Sequence, residues 1–201
     1  MTPFLVWLEN TAISTTLRDS PNIFLYPTIL AFHTLGLAFF VGISSAIALR
    51  ILGVAPGVPL APLKKFYPIM WVGFLFNAVS GALLLVIEPT KFLMMFDFYV
   101  KMVAIAGAVY CNRLLYQRYF KHPTGASPAI FPLRDRALAI VILALWAVSI
   151  TAGRLTAYDT AFVQEQTAIG TLIVTVALVV GGYISVKVWG AIRVAIWGPA
   201  T

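Results

Sequence analysis

Apolar residues run along this chain in five long blocks, at approximately 23–48, 66–88, 95–117, 135–156 and 168–190, separated by short polar joints. Each block is close to or above the roughly 20 residues that a helix needs to cross a hydrocarbon core of about 30 Å. The pattern predicts an all-α integral membrane protein with five transmembrane helices in an antiparallel bundle. The joint at 88–94 is short enough to make spans two and three an antiparallel hairpin. The segment 53–62, with Gly53, Pro56, Gly57, Pro59 and Pro62, cannot be helical throughout.

Ahead of the first block, Thr2-Pro3 is a helix-start signal. Phe4, Leu5, Leu8 and Ala12 then share a face from which Glu9, Asn10 and Thr16 are excluded, so residues 3–17 predict one amphipathic helix on the outer membrane surface, with Trp7 at the interface. Ser20-Pro21-Asn22 ends it. The chain therefore divides into an interfacial segment 1–22, a four-span bundle 23–158, and a fifth span with a cytoplasmic tail at 159–201. No basic region precedes the first apolar run, which is too long for a signal-peptide core, so the first helix is expected to insert and stay.

Composition agrees with the blocks: 61% of the residues are hydrophobic and 10% charged, against about 25% charged in an average soluble domain. The net charge of +7 changes the picture only through its distribution. Arg50, Lys64, Lys65, Arg113, Arg118, Lys121, Arg134, Arg136, Lys187 and Arg193 fall on one side of the predicted membrane, and Arg18, Lys91, Lys101 and Arg154 on the other, ten against four. This asymmetry puts the N-terminus outside and the C-terminus in the cytoplasm. It also accounts for the basic excess without a nucleic-acid partner, since no basic-aromatic surface exists beyond short loops. Cys111 is the single cysteine, so no disulfide forms within one chain. His122 reads as a solvated loop residue.

Within the spans, polar and small residues mark the faces that avoid lipid. Gly73, Asn77 and Gly81, with Ser80 beside them, recur on span two; Lys101, Ala104, Ala108 and Asn112 on span three; Trp146, Ser149 and Gly153, ending at Arg154, on span four. His33 lies in the middle of span one, where an ionisable group costs roughly 2.5–3.5 kcal/mol and is a functional-site candidate by default. If the faces converge, His33, Asn77 and Lys101 share a layer in the outer half with Trp146 nearby, closed from above by Glu88, Asp97 and Arg154. Three chemistries suit such a layer. His33 can ligate haem or a metal; His33 with Lys101 can hold an anionic group or a quinol oxygen, or relay protons; or His33 is a hydrogen-bonded core residue and Lys101 snorkels to the interface. Met94, Met95 and Met102 add thioethers suited to Cu(I), or ordinary core filling. No phosphate loop, zinc spacing or embedded carboxylate pair is present, which argues against a nucleotide enzyme, a zinc protease and a proton-driven antiporter.

The run Ala31-Phe32-His33-Thr34-Leu35-Gly36-Leu37-Ala38-Phe39-Phe40-Val41-Gly42, Trp71-Val72-Gly73-Phe74 with Ser80-Gly81, Phe98-Tyr99-Val100-Lys101-Met102 with Asn112, and Trp146 with Ala152-Gly153-Arg154-Leu155 resemble a family of small bacterial inner-membrane proteins known as domain of unknown function 6644. The resemblance covers about residues 4–158 and implies a bacterial inner-membrane location, but carries no activity. More distantly, a histidine in span one and a lysine in span three are similar to HemJ-type protoporphyrinogen oxidases, which implies a b-type haem contacted by His33 and Lys101. His33-x-x-Gly36 and Lys101 followed by Asn112-Arg113 also resemble the membrane part of CopD-type copper proteins. A second membrane histidine is absent, so bis-histidine ligation within one chain is excluded.

The expectation from these readings is a small inner-membrane protein that holds haem b in the outer half of its bundle and exchanges electrons with a quinone or a periplasmic partner. His33 is expected as axial ligand, Lys101 as second ligand or propionate contact, and Asn77, Trp146 and Arg154 as residues that complete the site. The alternatives are a structural or assembly subunit of a larger membrane complex, and a copper-handling protein.

Overall fold

The computed structural model of the chain describes residues 2–54, 56–121 and 131–156, with the single positions 173, 176, 177, 180, 181, 184 and 188. Among the described residues the protein is all-helical: α1 (Thr2–Glu9), α2 (Ala12–Arg18), α3 (Leu25–Leu52), a 3-10 turn (Ala61–Phe66) running into α4 (Tyr67–Ile87), α5 (Pro89–Met94), α6 (Phe96–Tyr116) with a π-helical end (Gln117–Lys121), and α7 (Leu133–Leu155). Four helices, α3, α4, α6 and α7, are long and apolar enough to cross a membrane. The expected fifth span lies outside the described residues, except that the seven single positions are helical and exposed. His122 and the joint around it also lie outside.

Local chemistry sets the boundaries. Pro68, Pro89 and Pro132 stand at helix starts, where the missing N–H has no intrahelical acceptor to lose. α3 ends at Gly53, whose φ of 85° lies in the left-handed region, and the Gly53 N–H bonds the Arg50 carbonyl. The N-terminal segment departs from expectation: residues 3–17 form two helices, not one. The Thr11 hydroxyl accepts the Ser14 N–H and starts α2 afresh, while the Asn10 and Thr11 side chains bond the Val6 and Leu8 carbonyls and close α1. Both helices seat on the bundle end that carries α5: the Ser14 hydroxyl donates to the Ile87 carbonyl, and the Glu9 carboxylate accepts the Thr90 N–H.

α3 packs on α4 and on α7, and α6 packs on α7, whereas α4 and α6 are not packed closely along their lengths. The simple hairpin expected of spans two and three is thus not what forms. α5 is a six-residue helix instead of a tight turn, and the buried face of α6 turns toward α7. At the end bearing Gly53, α4 and α6 with its π-helical end meet through long side chains, with the Tyr67 ring tilted against Tyr116 and Phe120 at 4.6 and 5.2 Å between ring centres. Toward α5 they splay. The packed core fills the Gly53 half: Phe40, Ile47, Ile51, Met70, Leu115, Ile142 and Trp146 are fully buried there, together with Ala108 and Ala139. The exterior is the reverse of a soluble protein, with Phe32, Leu35, Phe39, Val72, Leu75, Val79 and Val103 exposed.

Candidate functional site

The splay of α4 from α6 leaves a cleft of about 400 Å³ at the α5 end of the bundle. Its walls include Tyr26 and His33 of α3, Gly81 of α4, Phe92 and Lys91 of α5, Phe98 and Lys101 of α6, and Gly153 and Arg154 of α7, with Glu88 at the α4–α5 junction. His33 is eight residues into α3, about 12 Å along its axis, and Lys101 five residues into α6, about 8 Å.

His33 is held by α4. Its Nδ1 lies 3.0 Å from the Asn77 carbonyl and 3.2 Å from the Ser80 hydroxyl, and Asn77 Nδ2 donates back to the His33 carbonyl at 2.8 Å. The carbonyl can only accept, so Nδ1 carries the proton and Nε2 keeps its lone pair. Asn77 Nδ2 is 3.3 and 3.4 Å from the two ring nitrogens. An atom equidistant from both nitrogens lies along neither lone pair, because these diverge, so this approach does not use up Nε2. The ring fits because position 81 is glycine: a Cβ there would stand 3.0 Å from His33 Cε1. One turn and two turns further along α4, the helices touch backbone to backbone. A Cβ on Gly36 would lie 2.6 Å from the Gly73 carbonyl oxygen and 2.7 Å from the Asn77 nitrogen, and one on Gly73 2.8 Å from Phe39 Cβ.

Lys101 runs across α7 at Gly153, where an added Cβ would sit 3.5 Å from Nζ. Arg154 is exposed at the rim. Lys91 pairs with Glu88 at 3.8 Å. Phe92, Phe98 and Tyr26 supply flat apolar wall. The cleft therefore offers one imidazole acceptor, three cationic side chains and aromatic surface.

Asn77 reaches the site through His33, as an orienting group. Trp146 does not join it, which corrects the expected layer. Its indole N–H must find an acceptor once buried, and the Ser44 hydroxyl provides one at 2.9 Å in the Gly53 half, where the ring also stands edge-on to Phe40 at 5.1 Å. Ser44 and Asn112 bond each other at 2.8 and 3.0 Å, Asn112 Nδ2 also donates to the Ala108 carbonyl at 2.9 Å, and the Tyr67 hydroxyl donates to the Asn112 carbonyl at 3.4 Å. Asp97 is buried and does not line the cleft. Met95 is buried while Met94 and Met102 are 69% and 47% exposed, so the three thioethers face different surroundings. No group of three or more His, Cys, Asp or Glu suited to a metal occurs among the described residues.

Sequence reasoning missed Ser44, Tyr26, Phe92 and Lys91. Ser44 was legible, since His33, Gly36, Phe40 and Ser44 follow the same i, i+3, i+7, i+11 rule that marks span three. The others depend on how α5 and the start of α3 fold over the cleft. Comparison with protein-family models, with curated proteins and with solved structures finds no match for this chain.

Proposed function

We propose that this chain is a small bacterial inner-membrane protein that holds b-type haem in the cleft and passes electrons between it and a quinone or a periplasmic partner. In this reading the membrane is crossed five times, with the N-terminus outside and the C-terminus in the cytoplasm. α1 and α2 lie at the outer interface, with Phe4 and Trp7, exposed and stacked at 5.7 Å, turned toward the headgroups.

The observation that carries the reading is the His33 ring: one nitrogen is committed to a backbone carbonyl and the other is left as a lone-pair donor beside a cleft. A ligating histidine is held in this way, by a hydrogen bond from its second nitrogen to a carbonyl or carboxylate. The rest of the donor set suits the same group. In this reading Arg154 meets a propionate, Lys101 meets a propionate or serves as a second ligand, and Phe92 and Phe98 cover a flat ring, while Lys91 stays paired with Glu88. Bound haem supplies a reversible one-electron couple. The chain's own residues fix the imidazole tautomer, neutralise acidic groups and exclude water along the aromatic wall.

The test is the haem and metal content of protein purified from its native membrane, with an absorption spectrum. About one haem per chain is expected, with a Soret band that His33→Ala abolishes and Lys101→Met weakens or shifts. Neither haem nor metal in native material would overturn the redox reading and leave the subunit reading. That second reading is supported by the exposed apolar face of Ile173, Val176, Val180, Ile184 and Val188, where Gly181 meets nothing within 4 Å. Under it, Gly181→Leu detaches the chain from a larger complex. Orientation is tested separately: a reporter fused after Thr201 should be active in the cytoplasm.

A further inference from the structure

The α4–α6 seam has a second pocket at its other end. It measures about 300 Å³ and is lined by Tyr67, Trp71, Arg113, Tyr116, Gln117 and Lys121. This end of the bundle is rich in cations, and two of them are held by neighbouring groups. Arg118 pairs with Asp135, which also accepts the Tyr119 hydroxyl, and Arg50 bonds the Val58 carbonyl and lies 5.4 Å over the Phe131 ring. Arg113 and Lys121 line the pocket, and among the described residues neither has an ion-pair partner.

The sequence explains why. The chain's acidic residues are Glu9, Asp19, Glu88, Asp97, Asp135, Asp159 and Glu165, and between Arg113 and Arg136 the only one is Asp135, already shared by Arg118 and Tyr119. Among the described residues no carboxylate lines this pocket. Its polar lining is rich in donors: the Arg113 guanidinium, the Lys121 ammonium, the Gln117 amide N–H groups and the Trp71 indole N–H, which makes no hydrogen bond among the described residues, while Gln117 Oε1 and the Tyr116 hydroxyl are neutral groups that also accept. Tyr67 cannot supply a free donor, because its hydroxyl is committed to the Asn112 carbonyl. Two positive charges and an excess of donors, with no negative charge in the lining, select an anion.

The position selects which anion. Tyr67 is the first residue of α4 and Arg113 lies 17 residues into α6, about 26 Å along its axis, so the pocket stands where a spanning bundle leaves the hydrocarbon. Trp71 and Tyr116, at that level, are the aromatic types that sit among headgroups. A pocket between two membrane helices with basic residues at the headgroup level is a headgroup site. We infer that Arg113, Lys121 and Trp71 bind the phosphate of an anionic phospholipid, with its acyl chains lying along the open seam between α4 and α6.

The test uses the full-length chain in mild detergent, titrated with phosphatidylglycerol and followed by native mass spectrometry. Each basic side chain at a membrane surface contributes about a fivefold factor, so Arg113→Gln with Lys121→Gln should weaken retention of the lipid about 30-fold. Lys64→Gln with Lys65→Gln removes the same charge from exposed positions at the same end and should change retention less than threefold, a difference below about one such factor. Phosphatidylcholine should be retained less than phosphatidylglycerol by the wild type, and millimolar inorganic phosphate should not displace the bound lipid. Both target side chains are exposed, so the folded core is untouched, and the single variants, each expected to lose about fivefold, keep the test readable if the double variant fails to insert. Equal retention by the Arg113 and Lys121 variants, or equal loss in the Lys64 and Lys65 pair, would overturn the site in favour of diffuse surface charge. Displacement by inorganic phosphate would overturn the lipid as its source.

Discussion

The two halves of this bundle treat polar groups in opposite ways. In the Gly53 half, Ser44, Asn112 and Trp146 form a closed set in which the indole N–H, the serine hydroxyl and the asparagine amide bond one another or a helix carbonyl, inside a core of fully buried side chains. In the α5 half, His33 is fastened by one ring nitrogen, Lys101 and Arg154 line a cleft, and the contiguous core of large side chains does not extend that far, Ile29, Ile87 and Met95 being buried outside it. A saturated polar cluster in a dry core adds stability and specificity, and has no donor or acceptor left for a ligand. A half-satisfied one at a cleft has capacity to spare. Polar residues in membrane helices are therefore informative in proportion to the bonds they leave unmade, not to their presence alone.

The largest effect should come from the contact that holds both halves together. In Gly36→Ala the new methyl would meet the Gly73 carbonyl and the Asn77 backbone, neither of which can rotate away, so α3 and α4 must separate. A loss of about 1–3 kcal/mol or more is expected, measured by thermal or denaturant unfolding in detergent, together with loss of whatever the cleft binds. An unchanged midpoint would show that this close approach does not limit packing.

Next in size is Asn112→Leu, which strips Ser44, the acceptor of the Trp146 indole N–H, of its two bonds to Asn112. Interhelical hydrogen bonds in membranes are worth about 0.6 kcal/mol each, and two are lost along with some packing, so a cost of about 1–2 kcal/mol is expected. Ligand content in the cleft should stay at the wild-type level. If it falls with stability, the halves are coupled and the contrast between them is wrong.

Two glycines at the cleft give the smallest and most discriminating pair. In Gly81→Ala the methyl falls 3.0 Å from His33 Cε1 and must turn the ring, whereas in Gly153→Ala it falls 3.5 Å from Lys101 Nζ, an ordinary contact. The first should weaken ligand binding or shift its spectrum with a stability change of about 1 kcal/mol or less; the second should leave both within about 0.5 kcal/mol of wild type. Equal behaviour of the two would mean that the orientation of His33 is not what the cleft depends on.

Sequence alone determined the helical class, four of the membrane-length helices, the helix start at Thr2-Pro3 and the break after Gly53, because hydrophobic length and local backbone preference are properties of a single segment. It also marked the faces of His33, Asn77 and Lys101, since helical periodicity places residues on a face wherever the neighbouring helix stands. It did not determine which helix that face meets. Trp146, assigned to the His33 layer on the strength of its face, instead found the Ser44 hydroxyl, because a buried indole N–H goes to the nearest acceptor and depth along a tilted, crossing pair is set by packing. The break at Asn10-Thr11 was hidden for a related reason: two side chains there bond the preceding carbonyls in competition with helix continuation, and periodicity does not register that competition. The cleft itself was decided only by tertiary structure. It exists because α4 and α6, joined by the eight residues 88–95, each bury their small-residue face against another helix, and the space they leave between them belongs to neither segment.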